Sequence, residues 1–221
     1  MRFRSMLLVV LAIAVFAPAF AGAEEGMWPI DDLKKLDFKA LEKLGLELDS
    51  KGIFNGKGGG IAGAIVSLGG GTGSFVSSEG LILTTHHVAF TALQRASSEE
   101  HNYIEEGFNA EMLDDEIPAH GYRAYVLLDI EDVTKKVLGG VEEGMTDVER
   151  YEAVEQRIKE IVDKAEKDRD VECRVATFFD GMIYKLFTYF TIKDIRIAYA
   201  PPRAIGNYGG DIDNWMWPRH T

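Results

Sequence analysis

Apolar and polar positions change rhythm several times along the chain. Residues 6–21 form an almost unbroken apolar stretch behind two basic residues, Arg2 and Arg4. Over residues 31–46, Leu33, Leu36, Ala40, Leu41 and Leu44 recur at helical spacing, with acids at the start and Gly45 near the stop. That spacing predicts a helix. Glycine-rich sequence follows, carrying short β-like runs at residues 62–68, 73–77 and 81–85. A further β-rich run covers residues 122–130. Thr146-Asp147-Val148-Glu149 is then a capping box. It opens a helix with Tyr151, Val154, Ile158, Ile161, Val162 and Ala165 on one face, and the charged residues of 164–170 belong to a solvated face. Strand-like runs follow at 182–192 and 194–200, where Ile195, Ile197 and Tyr199 alternate with Arg196 and Ala198 before Pro201-Pro202. No repeat or low-complexity linker interrupts the pattern. It describes a mainly β body with peripheral helices.

Composition narrows the class. The chain has 221 residues, 46% hydrophobic and 27% charged, which suits globular packing in one large or two small domains. Its formal net charge of −12 argues against a nucleic-acid partner, which demands basic surface. A single cysteine, Cys173, excludes a disulfide scaffold and a Cys-rich zinc site within these residues. Gly56-Lys57-Gly58-Gly59-Gly60 fails as a phosphate loop, because no Ser or Thr follows the lysine and the upstream glycine is misplaced. The first residues read as a signal peptide: a basic start, the apolar run, and small-x-small sites at Ala19-Phe20-Ala21 and Ala21-Gly22-Ala23. The run falls short of the roughly 20 residues a spanning helix needs. We therefore expect residues 1–23 to be removed, leaving 24–221 in the periplasm, secreted or at the cell surface, without a membrane span.

The chemistry concentrates in residues 71–88, where two strands joined by a Ser-Glu-Gly turn lead to His86-His87-Val88. The pattern places the pair at the end of the second strand, and an imidazole there suits a general base at neutral pH. Adjacent strand residues point to opposite faces, so the pair is a poor chelate, and no metal or cofactor is expected. A structural His pair stays open on these residues alone. The layout is similar to the first-barrel hairpin of trypsin-like proteases, and closest to exported Deg-type proteases. Their Gly-x-Gly-Ser and Leu-Thr-x-x-His-Val pattern selects His87 over His86.

A second motif narrows the resemblance. Residues 200–221 read Ala-Pro-Pro-Arg-Ala-Ile-Gly-Asn-Tyr-Gly-Gly-Asp-Ile-Asp-Asn-Trp-Met-Trp-Pro-Arg-His-Thr. Together with Gly26-Met27-Trp28-Pro29, the His hairpin and residues 97–108, they resemble the bacterial serine dipeptidyl-peptidase family of dipeptidyl-peptidases seven and eleven. The likeness covers essentially the whole chain after the signal peptide. It implies a trypsin-like (chymotrypsin-type) double β-barrel with an added helical domain. Residues 24–221 would be its first barrel and the approach to the second, an incomplete catalytic domain.

The implied activity is release of dipeptides from free peptide N-termini by a Ser-His-Asp triad. His87 falls on the catalytic histidine, and Asn214 and Trp215 on the pair that holds the substrate's α-amino group. An amide oxygen and backbone carbonyls can accept protons from a terminal ammonium; Trp217 is read as packing. In the family the catalytic Asp follows the Trp-Pro-Arg-His-Thr run, and the nucleophilic Ser lies far downstream. Asp211 and Asp213 do not match that position, so the sequence is expected to be an N-terminal fragment, inactive alone. Many members carry cysteines, placed to form a disulfide, where this chain has Gly71 and Val88. Cys173 could be a buried thiol or pair downstream. Peptides with a free N-terminus are the expected partners, and a homodimer is a compatible assembly. A Deg-type endopeptidase, a non-catalytic envelope module and a zinc hydrolase, which would need a third ligand near His86 and His87, are the alternative readings.

Overall fold

The computed structural model describes residues 28–206. The proposed signal peptide with its cleavage site, and Asn214 and Trp215, lie outside the described residues.

In chain order the strands are β1 (Ile65–Ser67), β2 (Thr72–Phe75), β3 (Ile82–Thr84), β4 (Phe108–Asn109), β5 (Ile117–Pro118), β6 (Ala124–Asp132), β7 (Glu172–Phe178), β8 (Ile183–Ile192), β9 (Arg196–Ile197) and β10 (Tyr199–Ala200). The α-helices are α1 (Phe38–Lys43), α2 (Ser50–Ile53), α3 (His86–Ala96), α4 (Tyr103–Glu106), α5 (Thr134–Leu138), α6 (Asp147–Glu166) and α7 (Arg203–Gly206). Six strands form one antiparallel sheet in the order β3-β2-β1-β6-β8-β7, and β4 with β10 and β5 with β9 make two small ladders. The architecture is mainly β with helices, as the sequence pattern predicts.

The closed barrel expected from the resemblance is not what the described residues form. Their sheet is open, with β3 and β7 at its edges. The reason lies at its waist. β1 meets β6 over only two residue pairs, Val66 with Val126 and Ser67 with Tyr125. The long β6-β8-β7 ribbon continues past that seam, whereas β1, β2 and β3 have three or four residues each, so the sheet lacks the matched strand lengths and stagger that closure requires.

Alternation along β8 assigns the two faces of the ribbon. Tyr184, Leu186 and Thr188 point one way with Cys173 of β7, onto a core completed by Val133 and Val137 beside α5 and Val154 of α6. Helix α6 begins at the expected capping box, the Thr146 hydroxyl accepting from the Glu149 amide and Glu149 from the Thr146 amide. Ile158, Ile161, Val162 and Ala165 pack on this core, but Tyr151 stands in solvent, because the apolar stripe narrows at the first turn. Cys173 is a buried free thiol, its Sγ 3.7 Å from Thr188 Oγ1. On the opposite face, Phe187 stacks on Tyr189, and the Arg174 guanidinium lies 4.5 Å from the Tyr125 ring centre. Burial pushes the Tyr189 hydroxyl above its usual range. Lys185, also on that face, is buried: its Nζ donates to both Asp31 carboxylate oxygens at 2.8 and 2.7 Å. This ties residues 30–35 to the sheet.

Several expected boundaries move for identifiable reasons. The helix predicted over 31–46 breaks into a 3-10 turn, Ile30–Lys35, and α1, because Asp37 caps a new helix by accepting from the Lys39 and Ala40 amides. The 194–200 run is two short strands: Ile197 pairs with Ile117, and Tyr199 with Asn109, so the chain changes partners at Ala198. In residues 56–60, the amides of Lys57 and Gly59 turn onto Asn55 Oδ1, both at 2.9 Å, so the loop folds onto its own side chain.

Candidate active site

The hairpin carrying the histidines is built from a strict register, Gly73 opposite Thr84, Ser74 opposite Leu83 and Phe75 opposite Ile82. The Thr84 hydroxyl donates to the Thr72 carbonyl at 2.8 Å, locking the strand end. At the far end the Ser77 hydroxyl accepts from the Glu79 and Leu81 amides, and Gly80 turns the chain at φ 91°. That φ favours glycine.

Beyond Thr84 the chain does not stay extended. Thr85 is the last residue with extended backbone, and its carbonyl accepts from the Val88 and Ala89 amides. His86 and His87 are therefore the first two residues of α3, not the end of a strand as the sequence pattern suggests. The cause is apolar spacing: Val88, Ala92 and Leu93 are buried on one side of α3, and only a helix brings all three inward. Successive residues now differ by about 100° around the helix rather than 180°, so the two imidazoles diverge without occupying opposite sheet faces.

His87 is exposed, its Nδ1 3.3 Å from Thr85 Oγ1, within hydrogen-bond reach. His86 is half-buried, its ring edge-on to Phe90 at 6.1 Å and covered by Gly206. A Cβ placed on Gly206 would lie 2.3 Å from His86 Cδ2.

Three anchors hold α3 in place. Its first turn packs on the sheet through Val88 beside Val66, Leu68 and Ala124. Its later turns, Ala92 and Leu93, pack with Ala119, Ile197 and Ala200. The Tyr122 hydroxyl donates to the Val88 carbonyl at 2.7 Å, and the Arg95 guanidinium to the His120 carbonyl at 3.0 Å. Near the start of β9, the Arg196 guanidinium donates to both Asp194 oxygens, at 3.1 and 3.0 Å, and holds that carboxyl below its ordinary range. Gly71 sits directly against Val88: a Cβ there would lie 3.4 Å from Val88 Cβ.

The hairpin thus presents one exposed imidazole at a rigid helix start, a group able to exchange a proton with a neighbour on the solvent side. Among the described residues no three His, Cys, Asp or Glu side chains gather as a metal site, and no helix is long and apolar enough to cross a membrane. The described chain brings Gly206, at the end of α7, against the His86 ring. Thr85, Tyr122 and Gly206 were not singled out by sequence. The apolar spacing after Thr84 is the signal that would have exposed the helix and its cap.

Comparison with known proteins identifies the family of the chain and proteins that share its fold. The family model described as Peptidase S46 matches residues 23–221. Dipeptidyl-peptidase 7 of Porphyromonas gingivalis is 37% identical over 223 residues, covering all of this chain and 31% of its relative. The Asp/Glu-specific dipeptidyl-peptidase of Shewanella putrefaciens is 36% identical, with 98% of this chain and 29% of the relative aligned. Among solved structures, Porphyromonas endodontalis DPP11 in complex with substrate superposes with a TM-score of 0.78 at 33% identity, covering 90% of this chain and 30% of that one. The chain thus spans about 30% of the length of these relatives. On the match across nearly its whole length, the chain belongs to the Peptidase S46 family.

Proposed function

We propose that this chain is the N-terminal part of an exported serine-type dipeptidyl-peptidase that releases dipeptides from peptides with a free N-terminus. The observation that carries the reading is the coincidence of two independent features. The chain belongs to a peptidase family whose named relatives include dipeptidyl-peptidases. Within it, the histidine selected by motif is the exposed one on an otherwise anchored helix start.

In this reading residues 1–23 are a signal peptide, and residues 24–221 form the N-terminal part of a trypsin-like catalytic domain whose remainder completes the barrels. His87 takes the proton from a serine hydroxyl supplied by the rest of the protein and returns it to the leaving amine. An aspartate beyond residue 221 orients the imidazole. Asn214 and Trp215 hold the substrate ammonium, so that the second peptide bond meets the nucleophile. The relatives divide between dipeptidyl-peptidase 7 and Asp/Glu-specific dipeptidyl-peptidase at similar identity, 37% and 36%. Overall identity therefore does not separate the two named specificities.

The test uses the full-length protein with a dipeptidyl amide bearing a free amine and its Nα-acetylated twin. The free-amine substrate alone should turn over, and His87→Ala should lower kcat by about three orders of magnitude or more. Equal cleavage of the two substrates would point to a Deg-type endopeptidase, and no cleavage of either by the intact protein to a binding module. N-terminal sequencing of the secreted or periplasmic protein should begin at Glu24; an intact Met1 in the membrane fraction would refute export by cleavage.

A further inference from the structure

We propose that Thr85 is a positioning residue for the reaction: its hydroxyl accepts the Nδ1 hydrogen of His87 and so keeps Nε2 bare to take the serine proton. The inference rests on the role proposed for His87.

The hydroxyl stands where a helix cap would use it. Thr85 is the N-cap residue of α3, yet its side chain makes no bond to the helix amides. Asp37, Asp49, Asn102 and Thr146, the N-cap residues of α1, α2, α4 and α6, each accept from a backbone amide two or three residues on. Thr146 is the same residue type at the same helix position, so residue type alone does not explain the difference. A capping bond stabilises a helix, and α3 forgoes it. Thr85 Oγ1 lies instead 3.3 Å from His87 Nδ1.

The backbone fixes where that oxygen sits. One residue earlier the Thr84 hydroxyl donates to the Thr72 carbonyl at 2.8 Å, and the Thr85 carbonyl accepts from the Val88 and Ala89 amides at 3.1 and 3.3 Å. A β-branched side chain has few χ1 choices. The oxygen therefore meets the δ edge of the imidazole, and the other ring nitrogen faces away from Thr85.

A neutral imidazole carries one N–H hydrogen. For Nε2 to take a proton, that hydrogen has to sit on Nδ1, where a hydroxyl oxygen can accept it. As the serine oxygen bonds to the substrate carbonyl carbon, its hydrogen passes to Nε2 and the ring becomes a cation. The hydrogen then leaves Nε2 for the amine nitrogen as the C–N bond breaks. The Nδ1–H stays on Thr85 throughout. At 3.3 Å the bond is long for neutral partners, and a charged donor shortens and strengthens it. The gain falls on the charged ring of the transition state, so it raises kcat rather than binding. Thr85 acts beside the carboxylate of the proposed triad, so its removal costs only part of the rate.

In the full-length protein, Thr85→Val keeps the branched shape and removes the hydroxyl. For a free-amine dipeptidyl substrate, kcat and kcat/KM should both fall about five- to twentyfold with KM unchanged. Thr85→Ser should return kcat to within about threefold of the parent. Amide exchange across residues 86–96 should match the parent, because no cap is lost. In protein labelled with 15N-histidine, the neutral His87 ring, identified by the signals missing from His87→Ala, should carry its hydrogen on Nδ1.

An unchanged kcat in Thr85→Val, a Thr85→Ser variant no more active than Thr85→Val, faster α3 exchange accompanying the rate loss, or a hydrogen on Nε2 in the parent would each overturn the inference. If Thr85→Val does not fold, Thr85→Ala is read in its place, and the parent's ring tautomer still decides. Normal turnover by His87→Ala would instead overturn the underlying assignment, and with it this inference. Loss of turnover in His87→Ala with full kcat in Thr85→Val overturns the role of Thr85 alone.

Discussion

Removing the Asp31 carboxylate should release residues 30–35 from the sheet, and the cost can be set from the geometry. The Lys185 side chain is 6% exposed and receives Asp31 at 2.7 and 2.8 Å, while Asp32 stands 3.8 Å away. Stripping one partner from a buried pair costs about 3–5 kcal/mol, because the other charge is left uncompensated. Asp31 is itself 29% exposed and Asp32 can partly replace it, so about 2–3 kcal/mol is expected for Asp31→Ala. Lys185→Met removes the buried charge and keeps an apolar stem beside Phe178, whose ring lies 5.2 Å from the Lys185 Nζ. Asp31, 29% exposed against 6% for Lys185, can then be hydrated in place of its lost partner, so this change should cost only about 1 kcal/mol. Hydrogen exchange of the amides in residues 30–35 of the full-length protein reads the local opening. Asp31→Ala should speed it by about 30- to 150-fold, at 1.4 kcal/mol per decade, and Lys185→Met should do far less. Equal acceleration by the two variants, or none by Asp31→Ala, would refute the reasoning.

Acid should loosen the same segment. Asp32 titrates below its ordinary value, chiefly through its hydrogen bond from Lys35 and further through Lys185. Its contribution is therefore fully present above about pH 4 and lost as pH falls through the lower folded value. Joint replacement Gly71→Cys and Val88→Cys should form a disulfide, since a Cβ at 71 would sit 3.4 Å from Val88 Cβ. Closing that loop of roughly 17 residues should add about 3 kcal/mol in denaturant titration under oxidising against reducing conditions; Gly71→Ala alone should destabilise by about 1–3 kcal/mol through overpacking. Cys173 should resist a thiol reagent in the native protein and react on unfolding, because it is buried beneath α6; rapid native labelling would contradict that placement. Thr146→Ala should cost about 1 kcal/mol by removing the hydroxyl that caps α6, measured by denaturant unfolding.

What could be read from sequence was the local part of the fold. The capping box at Thr146, the hairpin ending at Thr84 and the long strand at 183–192 each declare themselves through neighbouring residues. Strand β7 did not, because its alternation of Cys173 and Val175 with Arg174 and Ala176 is short and follows directly on a charged helix end. The break at Asp37 was hidden for a different reason: leucines keep helical spacing across it, while one carboxylate caps a new helix. At the site, motif matching isolated His87, but the strand pattern carried one turn too far. Burial of Val88, Ala92 and Leu93 decided for a helix, and that burial depends on residues 119–200, which no local window contains. The seat of His86 on Gly206 joins positions 120 residues apart. It is legible only in three dimensions.

The wiring of the helix that carries the histidines has a consequence for the order in which the protein can fold. Ala92 and Leu93 find their burial partners in Ile197 and Ala200, about a hundred residues later in the chain. In the same way β6 must wait for β8, which slots between it and β7. The β2-β3 hairpin and the capped helix α6 can form early from local contacts alone, but contacts of such sequence separation come late and slowly. A chain emerging from its N-terminus would therefore hold His86 and His87 on an unfinished surface until residue 200 had followed. The imidazole pair is complete as a rigid feature only when most of the chain described here is present, which delays its assembly until the strands beneath it are in place.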